Sequence, residues 1–294
     1  MINMIRKTFA LALIPVIFSC SRNAPVKEAR IITVSIAPFE YFVNEIAGDD
    51  FIVNVMVPAG ANPHIYEPYP DQIAKLRKSV AYISNGYLGF EMTWLDRFYE
   101  MNKSMIRHSI GGLIDPIEAG HEHEAGQAEG ADPHYWVSPG CAVIIAESVR
   151  DLVIRLNPSG KVKYEANASE LIARIRELDL KAEKLFSGFS GTPFMIYHPN
   201  LAYLARDYGL EEVPVEFEGK EPLPSRLKYL IDFAREKKIN TIFVQKEYDS
   251  KNAKAIADEI GAEVVVIDPL SPDWLKATTE MIEKLHFSFT GNSQ

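Results

Sequence analysis

The stretch from Lys161 to Phe186 holds no glycine and no proline, and Leu171, Ile175, Leu178, Ala182 and Leu185 recur at steps of four and three, the spacing of one buried helix face. Twenty-six residues at 1.5 Å each make a helix about 39 Å long, the breadth of a small domain. A rod of that length in mid-chain divides the molecule. The segment 159–188 is therefore expected to be a stiff helix joining an N-terminal lobe, residues 30–158, to a C-terminal lobe, residues 189–294.

On both sides of the rod, β-branched runs alternate with helical patterns. The first half reads IITVSIAPF (31–39) as strand, FEYFVNEIAG as helix, FIVNVMVPAG (51–60) as strand, a helix opening near Pro70, VAYISNG (80–86) as strand and FEMTWLDRFYEM (90–101) as helix. A further helix from about Gly140 to Leu156 precedes the rod. After the rod come TPFMIYH (192–198), EEVPVEF, TIFVQKE (241–247) and VVVIDPL (264–270) as strands, with helices between them and a last one at DWLKATTEMIEKLHF. Strand–helix alternation predicts an α/β fold: two lobes, each a mainly parallel sheet flanked by helices, joined by one long backbone helix, with ligands taken at the strand ends. Between Gly111 and Asp132 the periodicity disappears, and GGLIDPIEAGHEHEAGQAEGAD reads as a mobile acidic loop.

Residues 1–19 are expected to be a signal peptide: Arg6 and Lys7 precede the apolar run Thr8–Phe18, too short to span a bilayer. The run ends at Ile17-Phe18-Ser19-Cys20, which resembles a bacterial lipobox, so Cys20 is the expected lipidation site and 20–29 a tether. The chain is then an exported, membrane-anchored lipoprotein facing the periplasm or cell surface. The other cysteine, Cys141, is followed by an apolar run and is expected to be a buried small hydrophobe. A formal charge of −9 argues against nucleic acid or an anionic membrane face as partner and suits a cation.

Seven histidines occur, and three stand at strand-end prolines: Asn62-Pro63-His64, Asp132-Pro133-His134 and His198-Pro199. Asp268-Pro269 repeats the arrangement. Proline lacks an N–H and restricts its neighbour, so these positions stop a strand and turn a side chain outward. Two of the four positions fall in each lobe, and a ligand held by all four would bridge them. His108 and His286 have no partner pattern.

GANPHIYEPYPDQIAKL, NGYLGFEMTWLDRF, DPHYWVSP, YHPNLAYLARDYGL and FVQKEYDSKNAKAIADEIGAEVVVIDPL, in this order and spacing, resemble the zinc and manganese solute-binding proteins of ABC transporters, the ZnuA/TroA-like (cluster A-I) family. The resemblance runs from about Arg30 to Leu285. It implies a metal shell at His64, His134, His198 and Asp268, a monomeric binding protein carrying a divalent metal, and delivery to an ABC permease with its ATPase. Three imidazoles and one carboxylate suit tetrahedral Zn²⁺, with Mn²⁺ or Fe²⁺ left open because a bidentate Asp268 would raise the coordination number. Four protein ligands leave no open position for hydrolytic water, and no H-E-x-x-H, G-x-S-x-G, P-loop or G-x-G-x-x-G is present, so an enzyme is not expected; a zinc metallohydrolase is the alternative from that class. A surface adhesin is a third reading. His121 and His123 in the acidic loop are candidates for an auxiliary metal-gathering arm, with a plain solvated loop as the alternative. Glu67, close to His64, is a candidate to orient an imidazole.

Overall fold

The computed structural model describes residues 30–118, 130–216, 223–248 and 251–291. The expected signal peptide, the tether with Cys20, and the pair His121 and His123 lie outside these residues.

The first sheet contains β1 (Ile31–Ile36), β2 (Ile52–Val57), β3 (Ser79–Ser84) and β4 (Ile106–Ser109), all parallel and ordered β2-β1-β3-β4. Its central strand is β-branched and buried almost throughout, as a strand covered on both faces must be. Three helices connect these strands: α1 (Ala37–Ala47), α2 (Pro70–Leu76) and α3 (Gly89–Met101). Prolines near the first positions of α1 and α2 preset the helical φ at no hydrogen-bond cost. After β4 the chain turns into α4 (Pro139–Leu156) and then α5 (Lys161–Phe186), the expected rod.

The second sheet repeats the plan. Its strands are β5 (Pro193–Ile196), β6 (Glu211–Pro214), β7 (Thr241–Gln245) and β8 (Glu263–Ile267), parallel and ordered β6-β5-β7-β8. The helices α6 (Ala202–Tyr208), α7 (Pro224–Lys237) and α8 (Lys251–Ile260) link them, and α9 (Trp274–Thr290) closes the chain. In each sheet the strand order reverses beside the first strand, which opens a crevice at the carboxyl ends.

Two details differ from the sequence reading. Strand β4 has no strand signature, because Ile-Arg-His-Ser offers one large apolar residue; it forms as an edge strand with alternating exposure against β3. Within the segment read as loop, Gly111–Leu113 make a 3-10 turn, Ile114 is buried, and Glu118 bridges Ala131. Gly111 is required there, since a Cβ would stand 2.5 Å from the Asn85 carbonyl oxygen.

One apolar core spans both lobes. It runs from β1 and α1 through Ile145, Val149, Leu171, Ile175 and Leu178 to Tyr203, Leu204, Trp274 and Ile282. The inward face of α5 is Leu171, Ile175, Leu178 and Ala182 as expected, but Phe186 takes the deep position at its end and Leu185 is only partly covered. Two indoles stitch the lobes: Trp136 Nε1 donates to the Pro269 carbonyl at 2.8 Å, and Trp274 Nε1 donates to the Trp136 carbonyl at 2.6 Å. A second cluster, including Met195, Val215, Leu230, Val244 and Ile256, fills the far side of the second sheet. Cys141 is buried and free. Among the described residues no helix is long and apolar enough to cross a membrane.

Candidate metal centre

His64 follows β2 in a turn fastened by its own neighbours: its backbone N–H donates to Asn62 Oδ1 at 2.8 Å. The start of α3 closes on this turn, and Gly89 permits it, because a Cβ there would lie 3.2 Å from the His64 carbonyl oxygen. His134, after β4, uses the same device. Its N–H donates to Asp132 Oδ1 at 2.7 Å, and its ring Nδ1 lies 2.9 Å from the same oxygen. The ring is 5% exposed and packs beside Trp136. His198 stands just past β5, where Gln245 on the neighbouring strand accepts from its N–H and donates to its carbonyl. Its Nδ1 lies 3.2 Å from Glu216 Oε1, and the ring stacks on Tyr248 with centroids 4.8 Å apart.

These three loops, two from one lobe and one from the other, bring the imidazoles together. His64 Nε2 and His198 Nε2 are 3.1 Å apart, ring centroids are separated by 4.9 to 5.5 Å, and one nitrogen from each ring lies within 4.8 Å of the others. The carboxylates of Asp132 and Glu216 beside Nδ1 of His134 and His198 favour the tautomer in which Nδ1–H donates to the acid, which leaves each Nε2 lone pair free for an ion. Tetrahedral Zn²⁺ at about 2.05 Å from two imidazole nitrogens would hold them about 3.3 Å apart, so the spacing of this pair fits a shared ion.

Electrostatics keep the cluster ready for a cation. Burial lowers the His198 pKa, against the opposing pull of Glu216, so the ring is neutral at neutral pH. Burial alone would raise Asp132, but His134 outweighs it through charge and hydrogen bonds and holds the carboxyl below its usual value. Burial pushes Glu247 up to about 7, with the Asp268 charge adding to the rise and His134 opposing it.

Asp268 lies at the end of β8, outside the three-histidine group, with Oδ2 3.3 Å from Lys246 Nζ. Its Oδ1 and the Oε2 of Glu247 are both buried without a hydrogen-bond partner. Carboxylate oxygens removed from water and left unmatched favour a nearby cation. Glu67 is exposed, and the acids facing the rings of His134 and His198 are Asp132 and Glu216. His108 on β4 bonds Ser148 at 2.7 Å, and His286 sits against Phe186 and Phe189. Asp132 was visible in the sequence as the acid of Asp-Pro-His, matching the Asn of Asn62-Pro63-His64. Glu216 and Glu247 carried no local pattern, because strand pairing alone brings them to the crevice.

Two like-ordered parallel sheets, locked by a shared core and offering a histidine cluster at their facing strand ends, define a two-lobed α/β protein with a candidate metal centre between the lobes. Residues 32–286 match the model of the family described as zinc-uptake complex component A, periplasmic, and the chain belongs to that family. It is 26% identical to the zinc-binding protein AdcA of Streptococcus pyogenes serotype M3 over 83% of its own length and 50% of that protein's. It is 28% identical to the high-affinity zinc uptake system protein ZnuA of Bacillus subtilis, over 79% of this chain and 76% of that one. The chain spans about half the length of the AdcA relatives it matches. A crystal structure of ZnuA superposes with a TM-score of 0.82 at 36% identity, covering 89% of this chain and 99% of that one. The Mn-bound periplasmic metal binding protein of Candidatus Liberibacter asiaticus superposes with a TM-score of 0.76 at 25% identity, over 87% and 98% of the two chains.

Proposed function

We propose that this chain captures a divalent transition-metal ion, Zn²⁺ foremost, between its lobes and presents it to the permease of an ATP-driven importer. The ligands in this reading are the imidazoles of His64, His134 and His198, with Asp268 as the fourth. The observation that carries it is the convergence of three imidazoles from both lobes, two of them with Nδ1 tied to carboxylates. The zinc-binding names of AdcA and ZnuA support the choice of metal. In the same reading the chain is exported and held at a membrane by lipid on Cys20, in keeping with the pneumococcal relative named as a zinc-binding lipoprotein.

Manganese is the second reading, favoured by the Mn-bound neighbour and by the two unmatched carboxylate oxygens of Asp268 and Glu247, since Mn²⁺ takes more oxygen ligands than Zn²⁺. Native mass spectrometry decides between them. The full chain carrying Cys20→Ala, offered equal Zn²⁺ and Mn²⁺, is expected to retain one zinc ion and to lose it with His198→Ala. Retention of manganese alone would select the second reading, and no retained metal would reject both.

A further inference from the structure

Tyr203 is fully buried on α6, in the lobe opposite to His134, and its hydroxyl is used twice. It donates to the Asp132 carbonyl at 2.8 Å and accepts from the Ile117 N–H at 3.2 Å. Those two residues are themselves joined, Asp132 N–H donating to the Ile117 carbonyl at 2.9 Å. Asp132 in turn holds His134 by both its backbone N–H and its ring nitrogen. The hydroxyl therefore fixes the backbone of the residue that aims the imidazole.

The other end of this linkage is equally fixed. Glu212 on β6 accepts the backbone N–H groups of Asn200 and Leu201 at 3.0 and 2.6 Å, which pins the turn between His198 and the start of α6. Arg206, one helical turn beyond Tyr203, covers the tyrosine ring at 5.0 Å and donates to the Asp115 carbonyl at 3.1 Å. Tyr135 meets the ring edge-on at 6.2 Å. Burial pushes the phenol up to about 12, so it keeps its proton to donate throughout the neutral range.

We infer that Tyr203 is a positioning residue for the metal centre, setting the ring of His134 in one lobe relative to His198 in the other through Asp132. The inference rests on the metal reading given above. It adds to the interlobe bonds of Trp136 and Trp274 a hydroxyl that bears on the separation of the two imidazoles, five residues along the chain from His198.

The test compares Tyr203→Phe with Tyr208→Phe in the full chain. Tyr208 is the control because its hydroxyl donates to Asp179 at 2.8 Å on α5, away from the histidines. Zn²⁺ affinity is read by competition with a chelating dye, and the His134 ring by ¹⁵N NMR of the metal-free protein. Tyr203→Phe is expected to weaken Zn²⁺ binding about tenfold, the low end for outer partners of metal-binding histidines, and to shift the His134 Nδ1 resonance; Tyr208→Phe is expected to do neither. Unchanged affinity in Tyr203→Phe, or an equal loss in Tyr208→Phe, overturns the inference. A wild-type chain that takes up no Zn²⁺ removes the metal reading instead, while a His134 resonance unmoved by Tyr203→Phe removes this one. Should Tyr203→Phe not fold, 3-fluorotyrosine at 203 keeps the shape and sharpens the donor; the His134 resonance must then move, and its constancy overturns the inference.

Discussion

A ligand nitrogen is only as well placed as the group behind it. His134 leans on the partly buried carboxylate of Asp132 and His198 on the buried one of Glu216, and such partners both orient the ring and raise its basicity. Replacing either acid by its amide keeps the size and removes the charge. Asp132→Asn and Glu216→Gln are each expected to cost about 10- to 100-fold in Zn²⁺ affinity, measured by dye competition. Two other acids are shifted by burial. Burial pushes Glu91 up to about 7 and Glu212 up to about 8, both well above the ordinary carboxylate value. Each therefore binds a proton in the folded chain that the unfolded chain has already lost, and their contribution to stability falls as pH rises from about 4.5 through these values. Thermal melts of the metal-free protein between pH 5 and 8 should show that decline, and Glu212→Gln should flatten it; a wild-type melt that rises across the window would contradict it. At this scale the prolines pointed to the three histidines that the structure brings together, while Asp132 went unassigned although Asp-Pro-His carried a signal for it. The sequence could not show Glu216, which reaches His198 only because β6 pairs with β5 in the second sheet.

Elements made of long repeating patterns were the legible ones. The helix α5 occupies Lys161–Phe186, the stretch free of glycine and proline, because twenty-six residues of amphipathic spacing leave no competing conformation. The four-residue strand β4 was illegible because its place is set by the open edge of β3, and pairing there asks little of the side chains. The 3-10 turn at Gly111 was hidden for a related reason: its warrant is the nearby Asn85 carbonyl, 26 positions earlier in the chain. The rod should behave as core and not as linker. Ile175 is fully buried on its inward face, and Ile175→Ala is expected to cost about 2–5 kcal/mol in chemical denaturation. A loss under about 1 kcal/mol would show that the rod merely spans the lobes.

The larger of two apolar clusters is continuous across both sheets, with Trp136, Trp274, Tyr203 and α5 all reaching from one lobe to the other. Cooperative units follow buried contact, so heat should unfold both lobes in a single calorimetric transition. Metal uptake should alter the radius of gyration by no more than about 1 Å in solution scattering, as sub-ångström to ångström shifts are the rule for preorganised interfaces; a strongly reduced radius in the metal-bound protein would mean that the core does open. Under the metal-binding reading proposed above, the weld also dictates how an ion must depart. A vessel whose halves cannot swing apart has to be emptied from the rim, with each donor bond given up in turn as outside contacts tug on the loops bearing the rings. Unloading then resembles undoing buttons, and its speed belongs to whatever grips the loops.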